Sequence, residues 1–136
     1  MALITAAPTT TTVETRSAQH ANQIPASLGL VAGEALLTAA PCYIKTSDGK
    51  VYMSNGTAAN EAARVSGFTG KSYAINEPVS LWGRGVIFEY GTGLVIGTTY
   101  FIGATAGRLD NAATVGDAVG VARAVTATHI RVIRDA

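Results

Sequence analysis

Residues 41–53, PCYIKTSDGKVYM, decide the fold class of this 136-residue chain. Two short runs that contain β-branched and aromatic residues, 41–45 and 50–53, flank the turn-forming residues Ser47-Asp48-Gly49. An Asp-Gly pair between two such runs predicts a β-hairpin, because both central residues of a type I′ turn need a positive φ. The centre of the chain is therefore expected to form antiparallel strands.

The chain from Gly29 onward repeats this pattern of short runs broken by glycine, and all 15 glycines fall there. About seven to eight short strands at roughly 8–12-residue spacing are typical of a small β-sandwich or β-barrel. The predicted fold is all-β, with these two architectures as alternatives. Residues 57–65 are the best helix candidate, although Gly56 and Gly67 bound them closely. The further predicted strands cover 63–68, 78–82, 85–90, 99–102, 118–125 and 128–134.

Residues 1–28 differ in composition from residues 29–136. They contain neither glycine nor an aromatic residue, and they include the run Thr9-Thr10-Thr11-Thr12. A segment without large side chains cannot offset the entropy of its own ordering. The sequence thus predicts an extended N-terminal arm, 1–28, and one β-rich domain, 29–136; the alternative for the arm is a floppy tail.

The arm is expected to order on contact with a partner. Thr-rich extended chain favours β pairing, because β-branched side chains suit a pleated surface. The arm would then add a strand or an extended strap to a neighbouring subunit. Its candidate contact residues are the widely spaced aliphatic side chains Leu3, Ile4, Val13 and Ile24.

The charge content argues against two classes of partner. Charged residues make up 14% of the chain and the net charge is +1, so no basic footprint for nucleic acid or for an anionic membrane is present. The aliphatic runs are far shorter than the roughly 18 residues of a membrane helix, and the first residues lack the pattern of a secretory signal. A positive mean hydropathy with so few charges predicts that apolar surface is buried against other protein.

No motif in the sequence predicts an enzyme, a cofactor or a metal site. Gly70-Lys71-Ser72 invites a phosphate-loop interpretation, but Val65 stands where that motif needs its first glycine. The glycine spacing at 91–97 does not fit a dinucleotide loop either. His20 and His129 lie far apart, and the single cysteine, Cys42, is expected to be a small buried apolar residue.

The nine aromatic residues all fall between Tyr43 and Phe101. Trp82 stands next to Gly83-Arg84-Gly85, and a tryptophan with an arginine at a flexible strand end is a plausible interface anchor. The alternative, equally weighted for Trp82 with Arg84, is that the indole fills the core. For Phe88 and Phe101 the core is the favoured interpretation.

Residues 29–134 contain two sets of loose strand-and-turn patterns, none of them a catalytic signature. In the first half these are AGEAL at 32–36, PCYI at 41–44 and DGKVY at 48–52. In the second half they are GTTYFI at 97–102, TAGRL at 105–109, VGVA at 119–122 and THIRV at 128–132. Through these patterns, residues 29–134 resemble the small capsid decoration (cement) proteins of tailed phages.

The resemblance implies a structural virion protein that is made in the bacterial host cytoplasm. Such a protein binds the outer surface of an icosahedral capsid, often as a trimer, and clamps neighbouring subunits of the major capsid protein. The expected partners are therefore the major capsid protein and further copies of this chain. Alternatives are a tail or head-fibre component, or a small-ligand-binding β-barrel.

Overall fold

The computed structural model describes residues 3–4, 23–24 and 28–134. Their strands form two antiparallel sheets, one of six strands and one of five. The all-β prediction is confirmed. Of the two predicted architectures the two-sheet sandwich applies, because neither sheet of the described strands closes on itself into a barrel.

The strands are short, at two to four residues each. All eight stretches that the sequence predicts as strands contain or overlap one of them. In chain order the observed strands are β1 Leu3–Ile4, β2 Gln23–Ile24, β3 Pro41–Ile44, β4 Val51–Met53, β5 Gly67–Thr69, β6 Leu81–Trp82, β7 Ile87–Glu89, β8 Thr99–Ile102, β9 Leu109–Asp110, β10 Ala122–Ala124 and β11 His129–Val132.

Both sheets contain strands that are distant in sequence. The six-stranded sheet has the order β1-β9-β8-β10-β11-β7, and the five-stranded sheet has the order β2-β6-β5-β3-β4. Each sheet therefore begins, at one edge, with a strand from the N-terminal 28 residues. At the opposite edge of the five-stranded sheet, residues 31–33 bond to β4, with Val51 N 2.9 Å from Val31 O and Gly33 N 2.9 Å from Val51 O.

The hairpin predicted from residues 41–53 is confirmed, but its turn is of another type. β3 and β4 pair with Tyr43 opposite Tyr52. Within the loop only Gly49 has a positive φ, 70°, so this is not a two-residue type I′ turn. Instead Asp48 Oδ1 accepts a hydrogen bond from Lys50 N (2.9 Å) and Asp48 Oδ2 accepts one from Tyr52 Oη (2.6 Å). These bonds lower the pKa of Asp48 below its usual value.

The helix predicted at 57–65 is reduced to a single 3-10 turn, Glu61–Ala63. Asn60 caps it, since its Oδ1 accepts a hydrogen bond from Ala62 N at 3.0 Å. Arg64, directly after the turn, is already in an extended conformation. A ten-residue stretch between Gly56 and Gly67 leaves too little chain for a stable helix, because helix nucleation is costly and short helices depend on packing.

The main core lies between the two sheets. Phe68 and Trp82 from the five-stranded sheet meet Phe88 from the six-stranded sheet, with ring centroids 5.5 Å and 5.1 Å from Phe88. Phe88 is fully buried, which confirms its prediction as a core residue. The prediction for Phe101 is wrong: alternation along β8 places Tyr100 and Ile102 in the core and leaves Phe101 half-buried on the outer face.

A second core covers the other face of the five-stranded sheet. Cys42, Val51 and Leu81 project from the sheet on this side, and the segments around Leu36 and Tyr73 pack over them. The five-stranded sheet is thus buried on both faces. Cys42 is fully buried, as the sequence predicts.

Tyr90, at the end of β7, is a buried tyrosine that ties two strands of the six-stranded sheet together. Its hydroxyl oxygen accepts a hydrogen bond from Leu109 N at 3.1 Å. Burial raises the pKa of Tyr90 to about 12, against a usual value near 10. The folded protein therefore holds this side chain neutral at pH values where the unfolded chain ionises it.

This pKa shift predicts a loss of stability at alkaline pH. The contribution is fully present below about pH 10 and is lost as the pH rises towards about 12, by about 2–3 kcal/mol in total. Urea unfolding measured at pH 8, 10 and 11.5 tests this. Tyr90→Phe is expected to reduce the alkaline loss; the buried Cys42 thiol, Tyr43 and Tyr52, whose pKa values are also raised, account for the rest. An unchanged alkaline slope in Tyr90→Phe would contradict the assignment.

Candidate interaction surfaces

The described parts of the arm pair with the sheets of their own chain. Leu3 lies opposite Asp110 and Ile4 opposite Leu109, so β1 extends the six-stranded sheet. Gln23 and Ile24 pair with Trp82 and Leu81, so β2 extends the five-stranded sheet. The paired strands at these positions belong to the same chain, and the expected addition to a neighbouring subunit stays a prediction.

Three of the four candidate contact residues of the arm, Leu3, Ile4 and Ile24, lie in these edge strands. Val13, the fourth, lies outside the described residues. Backbone pairing holds the arm against both sheets at two points that are about 20 residues apart in the chain. Between these two points the arm lies outside the described residues.

Trp82 and Arg84 have different surroundings. The indole of Trp82 is 9% exposed and packs against Phe88 at an interplanar angle of 54°. It also lies directly over Gly70, where a Cβ would come within 2.5 Å of the ring. Arg84, two residues later, is exposed. Trp82 therefore belongs to the core, and the two side chains do not form a single exposed anchor.

The residues considered for catalysis or metal binding have ordinary structural surroundings. Burial, and to a lesser extent Glu34, raises the pKa of the Cys42 thiol far above its usual value, which disfavours a thiolate nucleophile. The Lys71 ammonium lies 4.8 Å from the centre of the Tyr73 ring, and His129 Nδ1 lies 2.8 Å from Thr128 Oγ1. Among the described residues, no three His, Cys, Asp or Glu side chains converge on a point where a metal could bind.

Most described carboxylates accept hydrogen bonds from the chain's own backbone. Glu34 Oε2 bonds to Met53 N (2.9 Å) at the edge of β4, and Glu61 Oε1 bonds to Thr46 N (2.8 Å). The bonds to Thr46 lower the pKa of Glu61. Backbone amides also bond to Asp48, Glu77, Asp110 and Asp117. These acids hold loops in place.

Asp117 has the largest number of hydrogen-bond partners among these carboxylates. Its Oδ2 accepts from Ile102 N (2.9 Å) in β8, and its Oδ1 accepts from Gly120 N (2.8 Å) and Val119 N (3.2 Å). Arg134 Nη2 adds a further contact at 2.8 Å, and this contact is an ion pair. The side chain of Asp117 is fully buried, and it joins the 114–120 loop to β8 and to the chain after β11.

A cleft of about 580 Å³ lies beside this loop and the 3-10 turn. Two of its charged side chains already have partners: Glu61 is bonded to Thr46, and Arg134 is bonded to Asp117. The cleft therefore lacks the set of unengaged convergent polar groups that a small-ligand site needs. It is lined by Ala59, Asn60, Glu61, Ala63, Arg64, Val115, Gly116 and Arg134.

Exposed aliphatic side chains are the most unusual feature of the surface. Val95 and Ile96 are 63% and 69% exposed in the loop before β8. This loop is bonded to the end of β10, with Gly97 N 2.8 Å from Ala124 O, and Val125 is exposed next to it. We call Val95, Ile96 and Val125 the apolar tip. Further exposed large aliphatic side chains, all outside strands, are Leu28, Leu37, Ile75, Val115 and Val119.

The outer face of the six-stranded sheet carries two exposed arginines. Alternation places Ala122, Ala124 and Ile130 in the core and turns Arg123 and Arg131 outward. These two arginines stand directly opposite each other in the β10–β11 pair. We call Arg123 and Arg131 the arginine pair.

Sequence reasoning missed both Asp117 and the arginine pair. Arg123 and Arg131 each stand between small or aliphatic residues within predicted strands, so their outward orientation was recoverable from alternation. Their direct pairing depends on the register, which alternation alone does not set. Asp117 carries no signal in the sequence, because a single acid after a glycine is most often a surface turn residue.

Comparison with protein families, with curated proteins and with solved structures finds no significant match to this chain. In addition, the described residues contain no helix with the length and apolar character needed to cross a lipid bilayer. The functional interpretation therefore depends on the surface itself and on the family resemblance of residues 29–134.

Proposed function

We propose that this chain is a structural virion protein that binds the outer surface of a phage capsid and stabilises the shell by clamping neighbouring subunits of the major capsid protein. The apolar tip is the observation that carries the proposal. Adjacent aliphatic side chains that are exposed on loops mark a protein-binding surface when the rest of the domain is well packed. The low charge of the chain, 14%, points in the same direction.

Stabilisation would follow from mass action. A protein that binds the assembled shell and not the free subunits favours the shell by its difference in affinity for the two states. The sandwich suits this function, because a rigid core holds the loops that make contact and little ordering entropy is lost on binding. The arm, bonded to both sheets at β1 and β2, adds to this rigidity.

The oligomeric state belongs to the same proposal. The resemblance implies a trimer, and a closed ring buries apolar surface without leaving an open end for further association. Leu28 and Leu37, exposed aliphatic side chains away from the apolar tip, are available for contacts between copies. The protein would be made in the host cytoplasm and act on the outside of the virion.

Co-sedimentation with capsid shells tests the function. The shells are assembled from the major capsid protein encoded by the same phage genome, and the full chain is added over a range of concentrations. We expect saturable binding that weakens at least about tenfold in Val95→Asp/Ile96→Asp, because each buried aliphatic side chain contributes about 1.5–3 kcal/mol. The control is Ile75→Asp, at an equally exposed residue outside the apolar tip.

Two outcomes would contradict the proposal. If the unmodified chain does not sediment with shells but co-purifies with tails or fibres, it is a tail or head-fibre component. If Val95→Asp/Ile96→Asp binds shells as tightly as the unmodified chain does, the apolar tip is not the contact surface.

A further inference from the structure

The arginine pair is an electrostatically unfavourable arrangement within the fold. Arg123 lies opposite Arg131 across β10 and β11, and the flanking pairs Val125–His129 and Val121–Ile133 are joined by backbone bonds of 3.0 Å and 2.9 Å. These bonds recur at every second pair, so Arg123 and Arg131 also form a hydrogen-bonded pair, with Cα atoms about 5.5 Å apart. Like charges directly opposite each other destabilise a sheet.

Within the described part of the chain, neither Arg123 nor Arg131 makes an ion pair or a side-chain hydrogen bond. Most of the described carboxylates are held by backbone amides elsewhere. On the outer face itself the nearest acid in the register is Glu89, which lies opposite His129 rather than opposite either arginine.

The surroundings of the arginine pair resemble those of a protein interface. Thr99 lies opposite Arg123 on the other side and Ile87 lies opposite Arg131, and both are half-buried. Val125, a member of the apolar tip, follows Arg123 by two residues and so lies on the same side of the strand. Arginine next to apolar side chains is the composition that distinguishes interface surfaces from the rest of a protein surface.

We propose that the outer face of the six-stranded sheet, centred on Arg123 and Arg131, receives carboxylate side chains of a protein partner. Two guanidinium groups on adjacent strands can hold one carboxylate between them, or one carboxylate each, through parallel N–H···O bonds. The inference rests on the proposed function in one respect, because it names the chemistry that a capsid surface would present beside the apolar tip.

A phosphate-bearing partner fits this face less well. The chain has a net charge of +1, so it lacks the positive field that concentrates a polyanion. The basic groups on the face are two arginines and one histidine, with Glu89 beside them, and no lysine belongs to its strands. The adjoining apolar tip needs an apolar counterpart, which a protein surface offers and a sugar-phosphate backbone does not.

Fluorescence anisotropy with a labelled decaglutamate peptide tests the carboxylate assignment on the full chain. We expect binding at about 10 mM ionic strength that weakens at about 150 mM, where screening is stronger. The charge-reversal variant Arg123→Glu/Arg131→Glu is expected to bind the peptide at least tenfold more weakly. The matched control is Arg64→Glu/Lys71→Glu, which makes the same change in net charge at two exposed residues outside this face and is expected to retain most of the affinity.

Three results would overturn the inference. The first is the absence of decaglutamate binding at about 10 mM ionic strength. The second is an equal loss of binding in both double variants, which would reflect net charge alone. The third is a labelled decathymidylate that binds more tightly than decaglutamate and depends on Arg123 and Arg131, because the face would then recognise phosphate.

Thermal unfolding separates a binding role from a structural one. The single variant Arg123→Glu replaces two like charges with a Glu–Arg pair across the strands, so we expect its Tm to rise by about 1–4 °C while peptide binding falls. A fall in both the Tm and the peptide binding would show that Arg123 supports the sheet.

Shell binding adds an independent comparison. If Arg123→Glu/Arg131→Glu binds shells as tightly as the unmodified chain does, this inference is contradicted and the proposed function still stands. If the chain binds decaglutamate but does not bind shells, the proposed function is contradicted and the carboxylate assignment still stands.

Discussion

Replacing Asp117 with alanine is expected to lower the free energy of unfolding by about 3–5 kcal/mol, the range found when one partner of a buried ion pair is removed. The carboxylate of Asp117 is the acceptor for the amides of Ile102 and Gly120 and for the guanidinium of Arg134. Without it, these donors remain in a buried site without an acceptor, and each unsatisfied buried donor is costly. The 114–120 loop would also lose its attachment to β8.

Two further variants are expected to cause smaller losses of stability than Asp117→Ala. Arg134→Gln removes a guanidinium that donates to Asp117 Oδ1 (2.8 Å) and to Gly120 O (3.1 Å), but it leaves the backbone bonds of Asp117 intact. Because the Arg134 side chain is 28% exposed, a loss of about 1 kcal/mol is expected. Asp117→Asn keeps the shape but turns an amide NH2 towards N–H donors, and an intermediate loss is expected. Urea unfolding followed by the fluorescence of buried Trp82 measures all three. A loss in Asp117→Ala no larger than that in Arg134→Gln would show that Asp117 does not organise the loop.

A loss of similar size, about 3–5 kcal/mol, is expected for Phe88→Ala. The Phe88 ring is fully buried, and it is the one contribution of the six-stranded sheet to the aromatic cluster with Phe68 and Trp82. Its removal leaves a cavity between the sheets that short strands on both sides cannot close without losing their register.

Phe101 provides a matched control for Phe88. The two phenylalanines have the same chemistry, but Phe101 is half-buried on the outer face of β8. Phe101→Ala is therefore expected to cost less than half as much as Phe88→Ala, and Phe88→Leu about 1 kcal/mol. Both are measured by the same urea unfolding. Equal losses at Phe88 and Phe101 would show that the sheet faces are assigned wrongly.

These two phenylalanines also show how far the sequence predicts the fold. Residue type and spacing locate the strands, because glycines interrupt the chain at the turns and β-branched or aromatic residues lie between them. The face of each strand is harder to predict: the sequence favours the core for both Phe88 and Phe101, yet they lie on opposite faces. Alternation decides this only when one face is clearly polar, and Thr99 and Phe101 do not mark β8 as having a polar face.

The candidate interaction surfaces were predictable to a smaller extent. Leu3–Ile4 and Gln23–Ile24 form edge strands within their own chain, and nothing in those residues identifies β9 or β6 as their partners. β9 itself, Leu109–Asp110, is too short to produce a periodic pattern. Trp82 illustrates a different difficulty, because glycines beside an aromatic residue occur both at flexible surface ends and, as at Gly70, where a ring packs on the backbone.

The pairing of β1 with β9 has a consequence for the order of events during translation. β1 is the earliest of these strands to leave the ribosome, and its partner residues, Leu109 and Asp110, are made about a hundred residues later. β2 likewise has no partner strand until Leu81 and Trp82 have been made. Closing such long loops is slow compared with forming the local β3–β4 hairpin. β1 and β2 therefore remain without partner strands while the residues before β9 and β6 are made, and neither sheet acquires its outermost strand until most of that sheet has been made.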